Sequence, residues 1–500
     1  MKRGTTMAKS TGISKSLYCA GVQCKRMMWL RKHHPELADD SAATQSARDT
    51  GIEVGALARG LFGAFSLVEG DLNEMVRSTK KLIAAGESVI AEASFSYEGL
   101  FCSVDILKNL GDNNVELYEV KSSTSVSEIY LHDAAFQMFV LEKCGYRVKK
   151  AFLVHIDSSY RRGKELDIQK LFAAEDLTDV VRQMQSEVEQ NSAALLACLS
   201  QQEEPVVSFQ TLCPPRDPCV FWKHCSEHLS SPHVFEIAEL NKQKKIELYN
   251  QGKVSFDSLR HEATLKPKHE QQIRFELDNI PDHVDTEKIR EFLNTLTYPL
   301  YFLDFESYQP AIPPYENSWP FEQIPTQYSL HYIESKGATV LHTDFLAEAG
   351  KDPRRELAER LCHDIPLNVC TLAYNMTFER GRIKELAVLY PDLADHLMNI
   401  HDNIKDLMVP FRQRQYYSKA MKGSYSIKYV LPALCPNDPK LDYKALDGVH
   451  NGSEASAAFV AMEKMSPEEV ETCRANLLKY CELDTYAMVR VLEKLQEVVE

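Results

Sequence analysis

Hydrophobic and polar positions divide the chain into blocks with different periodicity. Residues 1 to about 160 mix helical and strand-like patterns and end in an apolar strand at Lys150–Ile156. From Leu166 to Leu199 the apolar residues recur with helical spacing, and the charged stretch Leu240–Pro281 is typical of helices that bridge two units. The predicted domains are residues 1–235, a helical connector at 236–295, and residues 296–500.

The last block alternates strands and helices more regularly than the first. This order predicts a mixed architecture, α/β and α+β, with separate sheets in the two larger domains. The predicted strands are Tyr298–Phe305, Gln327–Ile333, Thr339–Phe345 and Leu367–Ala373, and the predicted helices are Arg354–His363, Thr377–Leu389 and Pro467–Val499.

Composition supports more than one domain. A chain of 500 residues exceeds the size of one ordinary core, and 44% hydrophobic with 26% charged residues is a normal globular balance. The sequence has no apolar run of about 18 residues for a membrane span, and its beginning lacks the apolar stretch of a secretion signal. We therefore expect a cytoplasmic protein without a membrane partner. Its 13 cysteines then favour reduced thiols or metal ligands over disulfides.

The net charge of −15 argues against a nucleic-acid partner, because contacts to phosphates need Lys and Arg. The distribution of charge points the other way. Between Leu407 and Tyr429, basic residues are interleaved with aromatic ones, which suits single strands because they need charge for the backbone and flat faces for the bases. The alternative is a solvated loop with a few buried tyrosines. The candidate contacts are Arg412, Arg414, Tyr416, Tyr417, Lys419 and Lys422.

A first set of acidic residues lies in a predicted hairpin. Two apolar runs flank the turn-rich Leu110–Asn114, so Asp105 is expected directly opposite Glu119. Residues two apart on a strand share a face, which places Lys121 beside Glu119. Oxygen ligands suit magnesium or manganese, and a nearby Lys can orient or deprotonate water and stabilise charge on a phosphate. The alternative is a salt bridge on the surface of a hairpin.

The surroundings of this set resemble the RecB-like branch of the PD-(D/E)XK nucleases. The sequence ISKSLYCAGVQCKRMMWL is similar to the opening helix of that branch, and Asp133–Gln137 is similar to the helix that follows the hairpin. The resemblance implies a restriction-endonuclease-like domain in which Asp105 and Glu119 bind metal. It also implies that Gln137 approaches the substrate or Lys121.

A second acidic set lies in the last block. Asp304 and Glu306 are two residues apart on a predicted strand and share one face, while Leu303 and Phe305 enter the core. A predicted helix near the end carries a tyrosine and an aspartate four residues apart, which stack on one side. The end of a strand and the start of a helix lie between these motifs. They supply Asn375, Phe378 and Glu379, and the late helix supplies Tyr480 and Asp484.

Together these motifs resemble the DnaQ-like exonucleases of the DEDDy kind, which have an RNase H fold. D-x-E forms the first motif, N-x-x-F-D the second and Y-x-x-x-D the third, and GSYSIKYVLPALCP is similar to a segment typical of this domain. The resemblance implies that Tyr480 orients the attacking water and that two metals clamp the scissile phosphate. Glu379 stands where Asp is usual, with Asp406 as a fallback ligand. The implied metal ligands are Asp304, Glu306, Glu379 and Asp484.

Three cysteines recur at equal spacing in LCPPRDPCVFWKHCSEH. Cys213, Cys219 and Cys225, with Cys24 from the first block, can close a cage around a metal. Zinc sites more often use paired C-x2-C knuckles, which are absent, and scattered buried thiols are a further alternative. The arrangement resembles iron-sulfur nucleases of the RecB branch, in which one cysteine before the nuclease core and three after it hold a 4Fe-4S cluster. Such a cluster would be structural, because nuclease chemistry transfers no electrons.

The whole chain is similar to bacterial proteins that join a RecB-like nuclease to a poorly characterised exonuclease-like domain. We therefore expect a metal-dependent nuclease with two centres that acts on DNA ends or single strands, the second centre from the 3′ end. A second hypothesis is a scaffold that grips nucleic-acid ends, because both centres depart from the family patterns. The first lacks an early His near Gly55 and has Leu141 where Tyr is usual, and the second has Glu379. A third hypothesis keeps the nuclease but makes RNA its substrate.

Overall fold

Contacts along the chain separate two units, each with its own sheet and core. The described residues of this computed structural model are 12–39, 42–210, 213, 219–436, 438–441, 443 and 446–500. The first unit comprises Met1–Phe209, Val220–Cys225 and Pro310–Glu322, and the second comprises Gln210–Cys219, Ser226–Gln309 and Gln323–Glu500. Residues 236–295, predicted as a separate connector, thus belong to the second unit, and a short segment of the predicted third domain belongs to the first.

The first unit is built around a mixed sheet. Its strands are β1 (Ile13–Ser14), β2 (Ser66–Leu67), β3 (Val89–Tyr97), β4 (Leu100–Gly111), β5 (Asn114–Val120), β6 (Arg147–Ile156) and β7 (Phe172–Asp176). Its helices are α1 (Lys15–Gln23), α2 (Lys25–His33), α3 (Ala42–Ala58), α4 (Leu72–Ala84), α5 (Glu128–Lys143), α6 (Ile168–Leu171), α7 (Thr178–Gln183), α8 (Gln185–Leu199) and α9 (Trp222–Ser226). The sheet order is β2-β3-β4-β5-β6-β7, with β1 parallel to β4. Strands β5 and β6 are parallel because α5 crosses between them.

The described residues of the second unit contain a five-stranded sheet and a separate pair of strands. The strands of this unit are β8 (Asp282–Val284), β9 (Leu300–Tyr308), β10 (Ile324–Ile333), β11 (Leu341–Leu346), β12 (Cys370–Ala373), β13 (Ile404–Asp406) and β14 (Tyr416–Ser418). The order of the sheet is β11-β10-β9-β12-β13, and β14 pairs separately with β8. Strands β9, β10 and β11 are antiparallel neighbours, whereas β12 is parallel to both β9 and β13.

The helices of the second unit are α10 (Lys242–Asn250), α11 (Phe256–Leu259), α12 (Pro267–Leu277), α13 (Thr286–Leu293), α14 (Arg354–Asp364), α15 (Thr377–Leu389), α16 (Ala394–Asn403), α17 (Val409–Arg412), α18 (Ile427–Leu434), α19 (Gly452–Ala461) and α20 (Pro467–Glu497). One face of the five-stranded sheet packs against α18 and α20, and the other packs against α14, α15 and α16. The long helix α20 begins with a capping box, in which Ser466 and Glu469 satisfy each other's backbone N–H groups, and with Pro467 in its first turn.

Alternation along β9 decides which side chains face which helices. Leu300 and Phe302 pack in the core cluster that includes residues of α18 and α20. Leu303 packs in the opposite cluster with residues of α14, α15 and α16. Asp304 and Glu306 continue the first series and therefore face α20. This places two acidic side chains beneath the last helix of the chain.

The periodic patterns located most elements correctly. The predicted strand at Lys150–Ile156 is confirmed as part of β6, and the predicted helices at Thr377–Leu389 and Pro467–Val499 are confirmed as α15 and α20. The predicted continuous helical stretch from Leu166 to Leu199 is wrong, because β7 interrupts it and pairs with β6. The strand β7 forms because it pairs with β6, which lies elsewhere in the sequence. The local pattern around β7 contains no helix-breaking residue that would have indicated the interruption. Across the described residues, the helices include none that is both long and apolar enough to cross a membrane.

Candidate functional site

The first acidic group consists of Asp105, Glu119 and Asp133. Ile106 pairs with Tyr118 in the hairpin of β4 and β5, so Asp105 and Glu119 are the next residues in register, which confirms the predicted pairing. The turn is tight because its two residues, Asp112–Asn113, both adopt the left-handed conformation, with φ of 51° and 59°. Glu119 is 1% exposed, so this hairpin carries a buried carboxylate rather than a surface ion pair.

Two lysines bridge the carboxylates of the first acidic group. The ammonium of Lys121 donates to Glu119 Oε1 at 2.6 Å and to Asp133 Oδ2 at 2.6 Å. The ammonium of Lys15, the first residue of α1, donates to both oxygens of Glu119 at 2.9 and 3.0 Å. It also lies 3.4 Å from Asp105 Oδ1. Two ammonium groups thus lie among three carboxylates and can offset two of their three charges.

The lysines determine the protonation of this group. Burial disfavours the charge of Glu119, but Lys121 and Lys15 outweigh burial and hold its pKa below the ordinary value. For Asp105, burial and the charge of Glu119 prevail and raise the pKa to about 7. Burial works against the charge of Lys121 as well, but Glu119 and Asp133 raise its pKa above the ordinary value. These carboxylates thus favour the charged form of Lys121, which can stabilise negative charge.

Gln137 holds the carboxylates in place. Its amide donates to Glu119 Oε2 at 2.7 Å and to Asp133 Oδ1 at 2.9 Å. The side chain is fully buried. Asp133 and Gln137 are one turn apart on α5, which explains how one helix face supplies both groups. Lys121 bonds the same two carboxylates, so Gln137 lies beside that lysine, and its approach to a substrate stays a prediction.

The second acidic group consists of Asp304, Glu306 and Asp484. Each residue offers one carboxylate oxygen, and these oxygens lie within 4.8 Å of one another. Two come from β9 and the third from α20, so three of the predicted ligands converge although about 180 residues separate them in the chain. Oxygen donors at this spacing are the ligands that magnesium and manganese prefer.

Mutual repulsion and burial dominate the second acidic group. Burial and the charges of its neighbours, chiefly Asp484, raise the pKa of Asp304 well above the ordinary value. Burial and Asp484 raise the pKa of Glu306 to about 8, although Lys428 opposes the shift. Burial raises the pKa of Asp484 to about 6, against hydrogen bonds from two tyrosines. The group therefore retains protons near neutral pH unless a cation offsets the repulsion.

Two tyrosines hold Asp484. The hydroxyl of Tyr443 donates to Asp484 Oδ1 at 2.6 Å, and the hydroxyl of Tyr480, one turn earlier on α20, also bonds this carboxylate. Tyr480 is buried, and burial together with the charge of Asp484 raises its pKa above the ordinary value. Because its hydroxyl keeps the proton, Tyr480 can orient a carboxylate or a water molecule but cannot accept a proton from water.

Glu379, the predicted fourth ligand, lies next to the second acidic group but outside it. Its charge raises the pKa of Asp304, yet its oxygens are not among those within 4.8 Å of one another in the described residues. The side chain is 2% exposed, and its Oε2 has no hydrogen-bond partner. Burial raises the pKa of Glu379 to about 8. A buried acceptor without a partner is costly, and a nearby cation would satisfy it.

Asp406, the fallback ligand, is used for local structure instead. Its Oδ1 accepts hydrogen bonds from the backbone N–H groups of Asn375 and Met408, each at 3.0 Å. Its Oδ2 lies 3.4 Å from the guanidinium of Arg412. Both oxygens thus hold the loop after β12 and the start of α17. Arg412, a predicted nucleic-acid contact, is the ion-pair partner of this aspartate.

The predicted stacking of bases on Tyr416 and Tyr417 is wrong. Both residues lie on β14 and belong to the core of the second unit, with 8% and 1% of their surface exposed. Stacking requires an open ring face, which a buried ring does not offer. Arg414 lies over the ring of Tyr417, 4.4 Å from its centroid, and donates to the carbonyl of Gly423 at 2.6 Å. Here the structure supports the alternative of a loop with buried tyrosines.

The lysines of this stretch remain nearer the surface. Lys419 donates to Asn279 Oδ1 at 3.1 Å, and Lys422 is exposed. Lys428 is exposed as well, and its charge lowers the pKa of both Glu306 and Asp484. Lys428 is therefore the residue of the stretch best placed to meet a phosphate beside the second acidic group.

The four cysteines predicted to hold a cluster are all partly buried. Cys24 ends α1 and precedes α2. Within the first unit, Glu204 accepts hydrogen bonds from the arginine two residues after Cys24 and from the histidine just before Cys225. These bonds join the two segments that carry Cys24 and Cys225. Cys213 and Cys219 belong to the second unit, and the four-cysteine cluster stays a prediction.

Sequence reasoning missed three members of these sites. Asp133 had a signal, since it stands four residues before Gln137 on a helix that the motif already marked. Lys15 follows the N-cap Ser14, but nothing local connects it to a hairpin 90 residues later. Tyr443 lies in an irregular segment without a periodic pattern, and its bond to Asp484 spans 41 residues.

Comparisons with known proteins cover parts of the chain. Residues 301–426 match the model of a family described as a domain of unknown function, DUF2779, a range that begins on β9 and ends before α20. An uncharacterized protein of Ureaplasma parvum serovar 3 is 27% identical over 219 residues, which are 40% of this chain and 31% of that protein. An uncharacterized protein of Mycoplasma genitalium is 27% identical over 233 residues, 43% of this chain and 34% of that protein. The matched part spans about a third of each relative. No solved structure matches the chain.

Proposed function

We propose that the chain is a metal-dependent nuclease with two phosphodiester-cleaving centres that act on DNA ends or single strands. The observation that carries the proposal is the convergence of Asp304, Glu306 and Asp484 from β9 and α20. Three carboxylates with oxygens within 4.8 Å repel one another, and burial increases the cost of this repulsion. Such an arrangement is stable when divalent cations bind between the oxygens.

Strand order supports an RNase H-like, DnaQ-type unit. Numbered within the five-stranded sheet, the strands run third, second, first, fourth and fifth, antiparallel on one side of the first strand and parallel on the other. The RNase H fold has the same order. The acidic hairpin of the first unit, followed by α5 with Asp133 and Gln137, supports a PD-(D/E)XK domain in the same way.

The residues present fit magnesium or manganese. Asp304, Glu306 and Asp484 would hold such ions in the second unit, and the orphaned Oε2 of Glu379 offers a further donor. When bound, the ions supply positive charge to the phosphate and lower the pKa of water. The tyrosine hydroxyls fix Asp484 against this position. Lys428 adds a positive charge at the surface that would attract the nucleic-acid backbone.

The first unit would use its ammonium groups to supply positive charge to the phosphate. Asp105 and Glu119 would hold the metal, while Lys121 keeps its proton and stabilises charge that develops on the phosphate. Gln137 and Asp133 keep Glu119 and Lys121 in position. The unit thus supplies oriented charge.

A digestion assay with each centre inactivated in turn tests the proposal. The full chain with manganese is offered labelled single-stranded DNA, duplex DNA and RNA. Asp304→Asn and Glu119→Gln preserve shape but remove charge, so each should remove a distinct product pattern and slow it by about 100-fold or more, as expected when a charge-stabilising group is lost. Asp395→Asn and Glu128→Gln, at exposed positions of the same units, should digest at the normal rate. Equal digestion by all four variants would refute both centres, and digestion of RNA alone would reassign the substrate.

Lys15 favours a second candidate function for the first unit, the binding of nucleic-acid ends without cleavage. Its ammonium contacts both Asp105 and Glu119 and thus takes the place of a cation between them. In that case Glu119→Gln would leave every digestion product unchanged, while Asp304→Asn would remove them all. Fluorescence anisotropy with labelled ends would still report binding by the Asp304→Asn protein.

The proposed cofactor of the first nuclease domain is a structural 4Fe-4S cluster on Cys24, Cys213, Cys219 and Cys225. Its support is the motif, together with the contacts of Glu204 that join the segments carrying Cys24 and Cys225. Anaerobically prepared protein should be brown and should bleach when Cys219 is replaced by Ser. Colourless protein that contains zinc would refute this assignment.

A further inference from the structure

We propose that the second unit holds a zinc site formed by His331, His342 and Glu482, separate from the second acidic group. One ligand atom of each residue lies within 4.8 Å of those of the other two. His331 on β10 pairs directly with His342 on β11, and their ring centroids are 4.5 Å apart. Glu482 comes from α20, which contacts both strands. Two imidazoles, one carboxylate and an open fourth position form a recurring ligand set of zinc.

Hydroxyl groups contact one ring nitrogen of each histidine. Thr485 Oγ1 lies 2.8 Å from His331 Nδ1, 2.7 Å from Ser329 Oγ and 3.1 Å from the carbonyl oxygen of Glu482, which can only accept. Ser329 Oγ lies 2.9 Å from His342 Nε2. If Thr485 donates to the carbonyl and Ser329 donates to Thr485, both hydroxyls accept a hydrogen bond from a histidine ring.

This arrangement of protons leaves Nε2 of His331 and Nδ1 of His342 without a proton, and a ring nitrogen with a lone pair is what a metal binds. Metal-binding histidines usually donate their other ring N–H to a fixed acceptor, and Thr485 and Ser329 lie at hydrogen-bond distance for that role.

The chemistry of the site separates it from the second acidic group. Imidazole ligands favour zinc, whereas sets made only of carboxylates favour magnesium and manganese. The two sites share α20, since Thr485 directly follows Asp484, and Ser329 pairs with Asp304 across β9 and β10. Zinc bound by Glu482 and the two histidines would tie α20 to β10 and β11. The proposed role is therefore to anchor the helix that carries Asp484.

Zinc binding by the full chain tests the proposal. Protein stripped of metal with a chelator is titrated in separate samples with Zn²⁺ and with Co²⁺, because bound zinc would exclude the weaker-binding cobalt. The visible absorption of cobalt reports tetrahedral coordination by nitrogen and oxygen. We expect Glu482→Gln and His342→Asn each to weaken the zinc affinity of this site at least ~10-fold. Glu482 is exposed, so its replacement leaves the core intact. Glu471→Gln on the same helix and His363→Asn, both at exposed positions, are the matched controls and should bind normally.

Two further measurements separate this site from the others. Asp304→Asn should keep the cobalt spectrum, because its carboxylate is not a ligand here. Zinc should raise the thermal midpoint of the original chain but not that of Glu482→Gln. The proposal is overturned if Glu482→Gln and His342→Asn bind zinc as the original chain does, or if Asp304→Asn abolishes the cobalt absorption. Nuclease activity is not a readout, so either proposal can fail without the other.

Discussion

The two acidic groups meet the same electrostatic problem in opposite ways. In the first group, the ammonium groups of Lys15 and Lys121 lie 2.6 to 3.4 Å from the oxygens of three carboxylates and can offset two of the three charges. Burial and the charge of Glu119 raise the pKa of the third carboxyl, Asp105, to about 7. In the second group, the carboxylates face one another, and the charge of Lys428 lowers the pKa of Glu306 and Asp484 without an ion pair to them among the described residues. Similar acidic motifs can therefore differ greatly in how far the protein's own cations offset their charge.

The largest expected effect is the response of the second group to pH and metal. Its carboxyl groups have raised pKa values, about 8 for Glu306 and about 6 for Asp484. Such a group stabilises the fold while it is protonated and loses that stabilisation as pH rises through the folded pKa. In chelator, the free energy of unfolding should fall by at least about 1.4 kcal/mol between about pH 5 and about pH 9, the equivalent of one pKa unit. Chemical denaturation at both pH values measures this loss.

Manganese and one variant sharpen this test. Manganese at high pH should restore the lost stability, because the cation replaces the protons. Asp304→Asn should reduce the pH dependence, since it removes one repelling charge, whereas Asp395→Asn should not change it. If Asp304→Asn leaves the pH dependence unchanged, the loss belongs to other carboxyls such as Asp105, whose pKa is also raised, and the contrast between the two groups disappears.

The next effect concerns the ammonium of Lys15. Lys15→Met removes the positive charge between Asp105 and Glu119, so manganese should bind the first unit roughly tenfold more tightly, since hydrogen bonds to charged groups contribute about 1.5–3 kcal/mol. Calorimetry in an Asp304→Asn background measures this affinity with the second group weakened. Lys25→Met, at an exposed position at the start of α2, is the control. Weaker manganese binding by Lys15→Met would show that the lysine assists the metal rather than replacing it.

The smallest effect is expected from Tyr443. Its hydroxyl stabilises the charged form of Asp484, so Tyr443→Phe should raise the pKa of this carboxyl. The acidic limb of the pH profile of digestion should then move upward by up to about one pH unit, because one hydrogen bond contributes about 0.5–1.5 kcal/mol. Tyr429→Phe, with its side chain at the surface, serves as the control. An unchanged profile would mean that Tyr480 alone sets the protonation of Asp484.

The parts of the sites that could be predicted are those whose geometry depends on residues close together in the sequence. The facing of Asp105 and Glu119 followed from a hairpin turn, and the shared face of Asp304 and Glu306 followed from strand periodicity. The meeting of β9 with α20 came only from resemblance to a known family. The predicted roles of Tyr416 and Tyr417 were wrong because a basic and aromatic pattern does not reveal which rings the core covers.

The sequence alone determined the hairpin, the strand of the D-x-E motif and the long last helix, because local periodicity and capping are enough to specify them. Tertiary structure decided which charges neutralise each acidic group. Lys15 reaches a hairpin 90 residues away, and Tyr443 reaches a helix 41 residues away. Contacts across such distances depend on how strands and helices pack together. For that reason only the folded chain distinguishes an acidic group that is ion-paired with lysines from one whose carboxylates face one another.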